Sequence, residues 1–129
     1  MPKTFIIDGE KFNDYKGFCK EFSDEVLSGK YIWQGNLDAF NDILFGGFGD
    51  IETGECYRII WRNSIKSKQN LGYHERIKKL ESIIESCHPS NISRLREEIN
   101  IASKGAGPTL FDELIEIISD HENINLILE

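Results

Sequence analysis

Asn36-Leu37-Asp38-Ala39-Phe40-Asn41-Asp42-Ile43-Leu44 reads as a short amphipathic helix. Asn36 is a good N-cap, Leu37, Phe40 and Leu44 recur at helical spacing, and Gly46-Gly47 ends the run. Asp38 and Asp42 are four residues apart, so they project from one side, opposite the apolar anchors. The helix dipole favours Asp38 in the first turn and helps Asp42 less. Two like charges at this spacing repel, at a cost of about a few tenths of a kcal/mol in an isolated helix. No Lys or Arg lies nearby in sequence to relieve them. Such a pair is either solvated or meets cationic groups on another molecule.

Outward from this helix, alternating strand and helix patterns emerge. Tyr31-Ile32-Trp33-Gln34-Gly35 is an aromatic loop leading into it. Thr4-Phe5-Ile6-Ile7-Asp8-Gly9 reads as a short buried strand ending in a turn. Asn13 is the expected cap of a first helix carrying Tyr15, Phe18, Cys19, Phe22 and Val26 inward, with Gly29 as its stop. Tyr57-Arg58-Ile59-Ile60-Trp61 is the second strand. From about Asn70 to Gly107, two stripes (Tyr73, Ile77, Leu80, Ile84 and Ile92, Leu95, Ile99, Ala102) predict a helical hairpin, basic on its outer faces. Thr109-Leu110-Phe111-Asp112 resembles a capping box opening a last helix. There Leu110, Leu114, Ile117, Ile118 and His121 face inward, and Glu113, Glu116 and Asp120 form an acidic outer stripe. Ile124 to Leu128 is the final strand. Each strand-to-strand connection holds a helix. The expected fold is therefore α/β: a small three-stranded parallel sheet with packed helices, in one domain over residues 1–129, with the hairpin of 70–107 inserted before the last helix.

The chain has 129 residues and a formal net charge of −7. A domain of this size buries roughly 65–70% of its unfolded surface, enough to fold without staples. The acidic balance argues against direct nucleic-acid binding, and no apolar run is long enough to span a membrane. The three cysteines, Cys19, Cys56 and Cys87, show neither a disulfide framework nor zinc-ligand spacing. They are expected as buried thiols, and a reducing cytoplasm is the expected location. His74, His88 and His121 share no metal-ligand spacing, and no cofactor-binding loop or catalytic set is evident. Charge is unevenly spread. Residues 31–57 and 105–129 contain no Lys or Arg at all, whereas residues 58–104 are net basic. If the two acidic segments meet in space, they form an anionic face suited to a cationic partner.

Four pieces of this sequence resemble the barstar family of intracellular ribonuclease inhibitors. They are the opening strand with Asp8-Gly9-Glu10; Trp33-Gln34-Gly35-Asn36-Leu37-Asp38-Ala39 running on to Asp42-Ile43-Leu44; Ile59-Ile60-Trp61-Arg62; and the last helix with Glu116, followed by Ile124-Asn125-Leu126-Ile127-Leu128. The resemblance implies a three-stranded parallel sheet with helices and a partner-binding set of Trp33, Gln34, Asn36, Asp38, Asp42, Gly46 and Glu116. Asp38 and Asp42 match the helix aspartates that enter a nuclease cleft, Asp42 at the site of the substrate phosphate. Glu116 matches an acidic helix residue that meets basic groups on the enzyme. The implied partner is a basic ribonuclease or nuclease toxin, with no cofactor, no metal, no direct nucleic acid and no membrane. The chain departs from the family archetype at Gly35, at Asn41 and in the hairpin, which implies a target other than barnase itself. Two other readings are a non-catalytic acidic adaptor and a metal enzyme built on Asp38, Asp42 and Glu116.

Overall fold

A computed structural model describes residues 2–129. Three strands, β1 (Lys3–Asp8), β2 (Tyr57–Arg62) and β3 (Ile124–Leu128), form one sheet in the order β1-β2-β3. Both pairings are parallel, with Phe5 opposite Ile59 and Ile59 opposite Leu126. The fold is thus α/β, as the element order predicts, with the helices α1 (Tyr15–Glu25), α2 (Leu37–Phe45), α3 (Ser64–Asn70), α4 (Tyr73–Ile84), α5 (Ile92–Ser103) and α6 (Leu110–Ser119) carried on the connections. No helix among the described residues is long and apolar enough to cross a membrane.

Strand β2 alternates buried Tyr57, Ile59 and Trp61 with more exposed residues, so one face of the sheet meets the helices. The core there is strongly aromatic. Trp61 stacks on Phe18 at 4.9 Å and meets Phe111 edge-on at 5.1 Å, while Trp33 stacks on Phe40 at 4.3 Å. Such pairs add about 0.5–1.5 kcal/mol beyond the area they bury. The ring polar groups of β2 are satisfied: the Trp61 indole N–H donates to Ser67 Oγ, and the Tyr57 hydroxyl to the Leu44 carbonyl, whereas Arg58 Nε and Asn70 Oδ1 are buried without a partner among the described residues.

Several local expectations change. Asp14, not Asn13, caps α1, its carboxylate accepting from the Gly17 N–H. Helix α3 has no counterpart in the apolar pattern because its inward positions are Ser64 and Ser67, whereas Ile65 is 77% exposed. The α4–α5 hairpin forms, but its outer faces expose Glu81, Glu85 and Glu97 alongside Lys78, Arg94 and Arg96, so they are mixed rather than basic. Leu80, Leu95 and Ala102 are buried in it outside the main core. Polar links join it to the rest: the Tyr15 N–H donates to Glu75, and Arg76 Nε lies 2.7 Å from Glu113 Oε1. Glu113 therefore turns toward α4 and does not belong to an outer acidic stripe. Of the cysteines, all free, only Cys19 is buried; Cys56 is exposed and Cys87 half-buried. Burial pushes the Cys19 thiol up to about 12, so it stays protonated.

Candidate partner-binding face

Helix α2 owes its placement to a strapped loop. The Trp33 N–H donates to Ser23 Oγ, whose own hydroxyl donates to the Cys19 carbonyl. The Trp33 indole N–H reaches the Asn36 carbonyl at 2.9 Å, and the Tyr15 hydroxyl donates to the Gly35 carbonyl at 2.6 Å. Burial raises the Tyr15 phenol, so it remains a donor throughout the ordinary pH range. Asn36 caps the helix as expected, its side chain accepting from the Ala39 N–H at 2.9 Å. At the other end Gly46 closes it in a left-handed conformation, φ 114°, where a Cβ would stand 2.2 Å from the Glu52 carbonyl oxygen.

Phe40, Ile43 and Leu44 of α2 are buried, whereas Asp38, Asn41 and Asp42 are exposed. The loop and caps thus fix the backbone from which the two carboxylates project. Helix α6 lies beside α2: His121 Nε2, just past its end, is 3.0 Å from Asn41 Oδ1. The Thr109–Asp112 capping box opens α6 as expected. Glu116 and Asp120, four residues apart at the end of α6, are both exposed. Among the described residues, Asp38, Asp42, Glu116 and Asp120 take part in no ion pair. They are free to meet outside cations, with charge-assisted hydrogen bonds within their chemistry.

Of the residues expected at a partner surface, Gln34, Asn36, Asp38, Asp42 and Glu116 are exposed. Trp33 and Gly46 are not. Trp33 is 3% exposed within the aromatic core, and Gly46 is buried against the 52–53 backbone. Both lie behind the exposed residues of α2 and of the loop that leads into it. Exposed apolar groups beside them include Tyr31, which packs on Phe48 at 4.8 Å, Ile32, 73% exposed, and Phe45 at the end of α2, 52% exposed. Sequence reading also leaves out Lys16, Lys78 and Lys79, which border Asp38 across a cleft. Only the contact between α1, α2 and α4 assembles them. Among the described residues, no three His, Cys, Asp or Glu side chains are grouped to hold a metal ion.

A small α/β protein with a carboxylate-bearing helix held on an aromatic core is the class defined by these features. A family model described as Barstar (barnase inhibitor) matches residues 2–101. The chain belongs to the Barstar family. The match ends in α5, before the helix that carries Glu116. No curated protein matches the chain.

Proposed function

We propose that the chain is an intracellular inhibitor, an immunity-type protein, of a basic ribonuclease or nuclease toxin. It acts by occupation and not by catalysis. Asp38 and Asp42 enter the nuclease cleft, where Lys, Arg and His otherwise hold the substrate phosphates. Asp42 takes the place of the phosphate, Glu116 meets basic groups at the rim, and Gln34 and Asn36 pack over the cleft. Trp33 and Gly46 hold this surface in position. The whole chain serves as one domain, and the 70–107 hairpin is an addition to it.

The observation that carries this reading is that Asp38 and Asp42 stand exposed on one side of a capped helix, with no cation paired to them among the described residues. A backbone fixed in advance loses little conformational freedom on binding, and net negative charge speeds encounter with a basic enzyme. The test is inhibition. The nuclease encoded beside this reading frame, a secreted toxin or small basic enzyme, is mixed with the chain and RNA and DNA cleavage are followed. The account expects one-to-one inhibition that Asp42→Ala relieves. An Asp42→Ala protein that inhibits at full strength overturns the role given to Asp42.

A further inference from the structure

Helix α4 stands against the start of α2 and the first turn of α1, and the three enclose a cleft of about 580 Å³. Lys16, Lys78 and Lys79 line it together with Ser82 and Ser86, and on the α2 side it is bordered by Gly35, Asn36, Leu37 and Asp38. Glu75 also lines it, but that carboxylate is engaged by the Tyr15 N–H at 3.2 Å and by Lys78 at 3.4 Å. Among the described residues Lys16 and Lys79 make no ion pair. Lys79 is half-buried, and burial holds its ammonium below the ordinary lysine range; Glu113, Glu98 and Asp38 oppose this, and Arg76 adds to it. A poorly hydrated ammonium gains from an incoming carboxylate. The positive end of α2 points to the same side. The sign of the surface therefore reverses within one side chain of the acidic face.

We propose that this cleft is a second docking subsite, which receives an acidic segment, Asp or Glu side chains, of the same nuclease that Asp38 and Asp42 engage. The inference rests on the inhibitor reading above and deepens it. A surface that is anionic on α2 and cationic at Lys16, Lys78 and Lys79 accepts a partner whose basic cleft is flanked by acids, in one register only. A basic nuclease that covers the cleft without such acids strips further water from the Lys16 and Lys79 ammonium groups and leaves them unpaired, which disfavours it. The α4–α5 hairpin then selects among nucleases that α2 alone would accept.

The cleft is tested separately from the nuclease, by two-dimensional NMR of the full chain titrated with acetylated, amidated hexaglutamate at low salt. Hexaglutamine of the same length, pyrophosphate and a short RNA oligonucleotide are parallel titrants. The expected result is a saturable shift at Lys16, Lys78, Lys79 and Ser82 with hexaglutamate and none with hexaglutamine. Binding weakens about tenfold in the Lys16→Ala/Lys79→Met double variant. Lys16→Ala and Lys78→Ala alone, at exposed positions, give smaller losses and serve if the double variant does not fold. The peptide titration contains no nuclease, so a failed nuclease assay and a failed cleft are distinguishable. No shift in the cleft, shifts untouched by the lysine variants, or tighter binding of pyrophosphate or RNA at the same residues overturns the proposal.

Discussion

The phenol of Tyr15 donates a 2.6 Å hydrogen bond to the carbonyl of Gly35, joining the first turn of α1 to the loop that launches α2. The ring also stacks against Phe18 and meets Trp33 edge-on. Tyr15→Phe keeps the rings and orphans the Gly35 carbonyl. The expected loss is about 1 kcal/mol, read as a lower urea midpoint with an unchanged slope.

Gly46 and Gly29 both adopt positive φ but differ in surroundings. An alanine Cβ at 46 meets the Glu52 carbonyl oxygen at 2.2 Å, whereas nothing lies within 4 Å of one at 29. Gly46→Ala is expected to cost about 2–3 kcal/mol or more and Gly29→Ala about 1 kcal/mol, measured by denaturant unfolding. Equal losses contradict the close approach that ends α2.

Arg76 and Glu113 tie α4 to α6 across 2.7 Å, with side chains only 9% and 25% exposed. Removing Arg76 leaves a largely desolvated carboxylate. Arg76→Met is therefore expected to cost about 3 kcal/mol, and the Arg76→Met/Glu113→Gln double variant less than the sum of the singles. By contrast Lys20→Ala, which breaks the exposed pair with Asp24, leaves the unfolding midpoint essentially unchanged.

Glu21 is buried beneath β1 and accepts the Asp8 N–H at 2.9 Å. Burial raises its carboxyl above the ordinary 4.5, and that hydrogen bond only partly offsets the effect. An acid with a raised folded value keeps its proton longer in the native state than in the unfolded chain. Its contribution is therefore most favourable below the ordinary value, declines as pH rises from there to the raised value, and is flat above. Glu21→Gln keeps the acceptor and abolishes the titration. The melting temperature of the variant relative to the unmodified protein is expected to rise between about pH 4 and pH 7; a constant difference contradicts this.

What the sequence reveals depends on how local each cause is. The parallel sheet follows from three apolar runs separated by helices, and the caps at Asn36 and Thr109 bond groups three residues away. Helix α3 is hidden because it turns serines inward, Ser67 to accept an indole N–H supplied by β2 and Ser64 to donate to the Glu129 carbonyl. Glu113 reads as surface from its spacing, since its partner Arg76 is 37 residues away. Trp33 carries no mark in the sequence that separates an interface anchor from a core residue. Its place is decided by Ser23 and Phe40, which only the fold brings to it. The acidic pair of α2 is legible because a single helix turn sets it. The lysine-lined cleft beside it is not, because three separate helices contribute.

The most direct test of the account is the dissociation constant of the complex with the cognate nuclease, compared between the unmodified chain and Asp42→Asn, which keeps the side chain's shape and removes its charge. The account predicts at least about a hundredfold weaker binding, seen chiefly as faster dissociation. A complex of equal affinity and equal lifetime would contradict it.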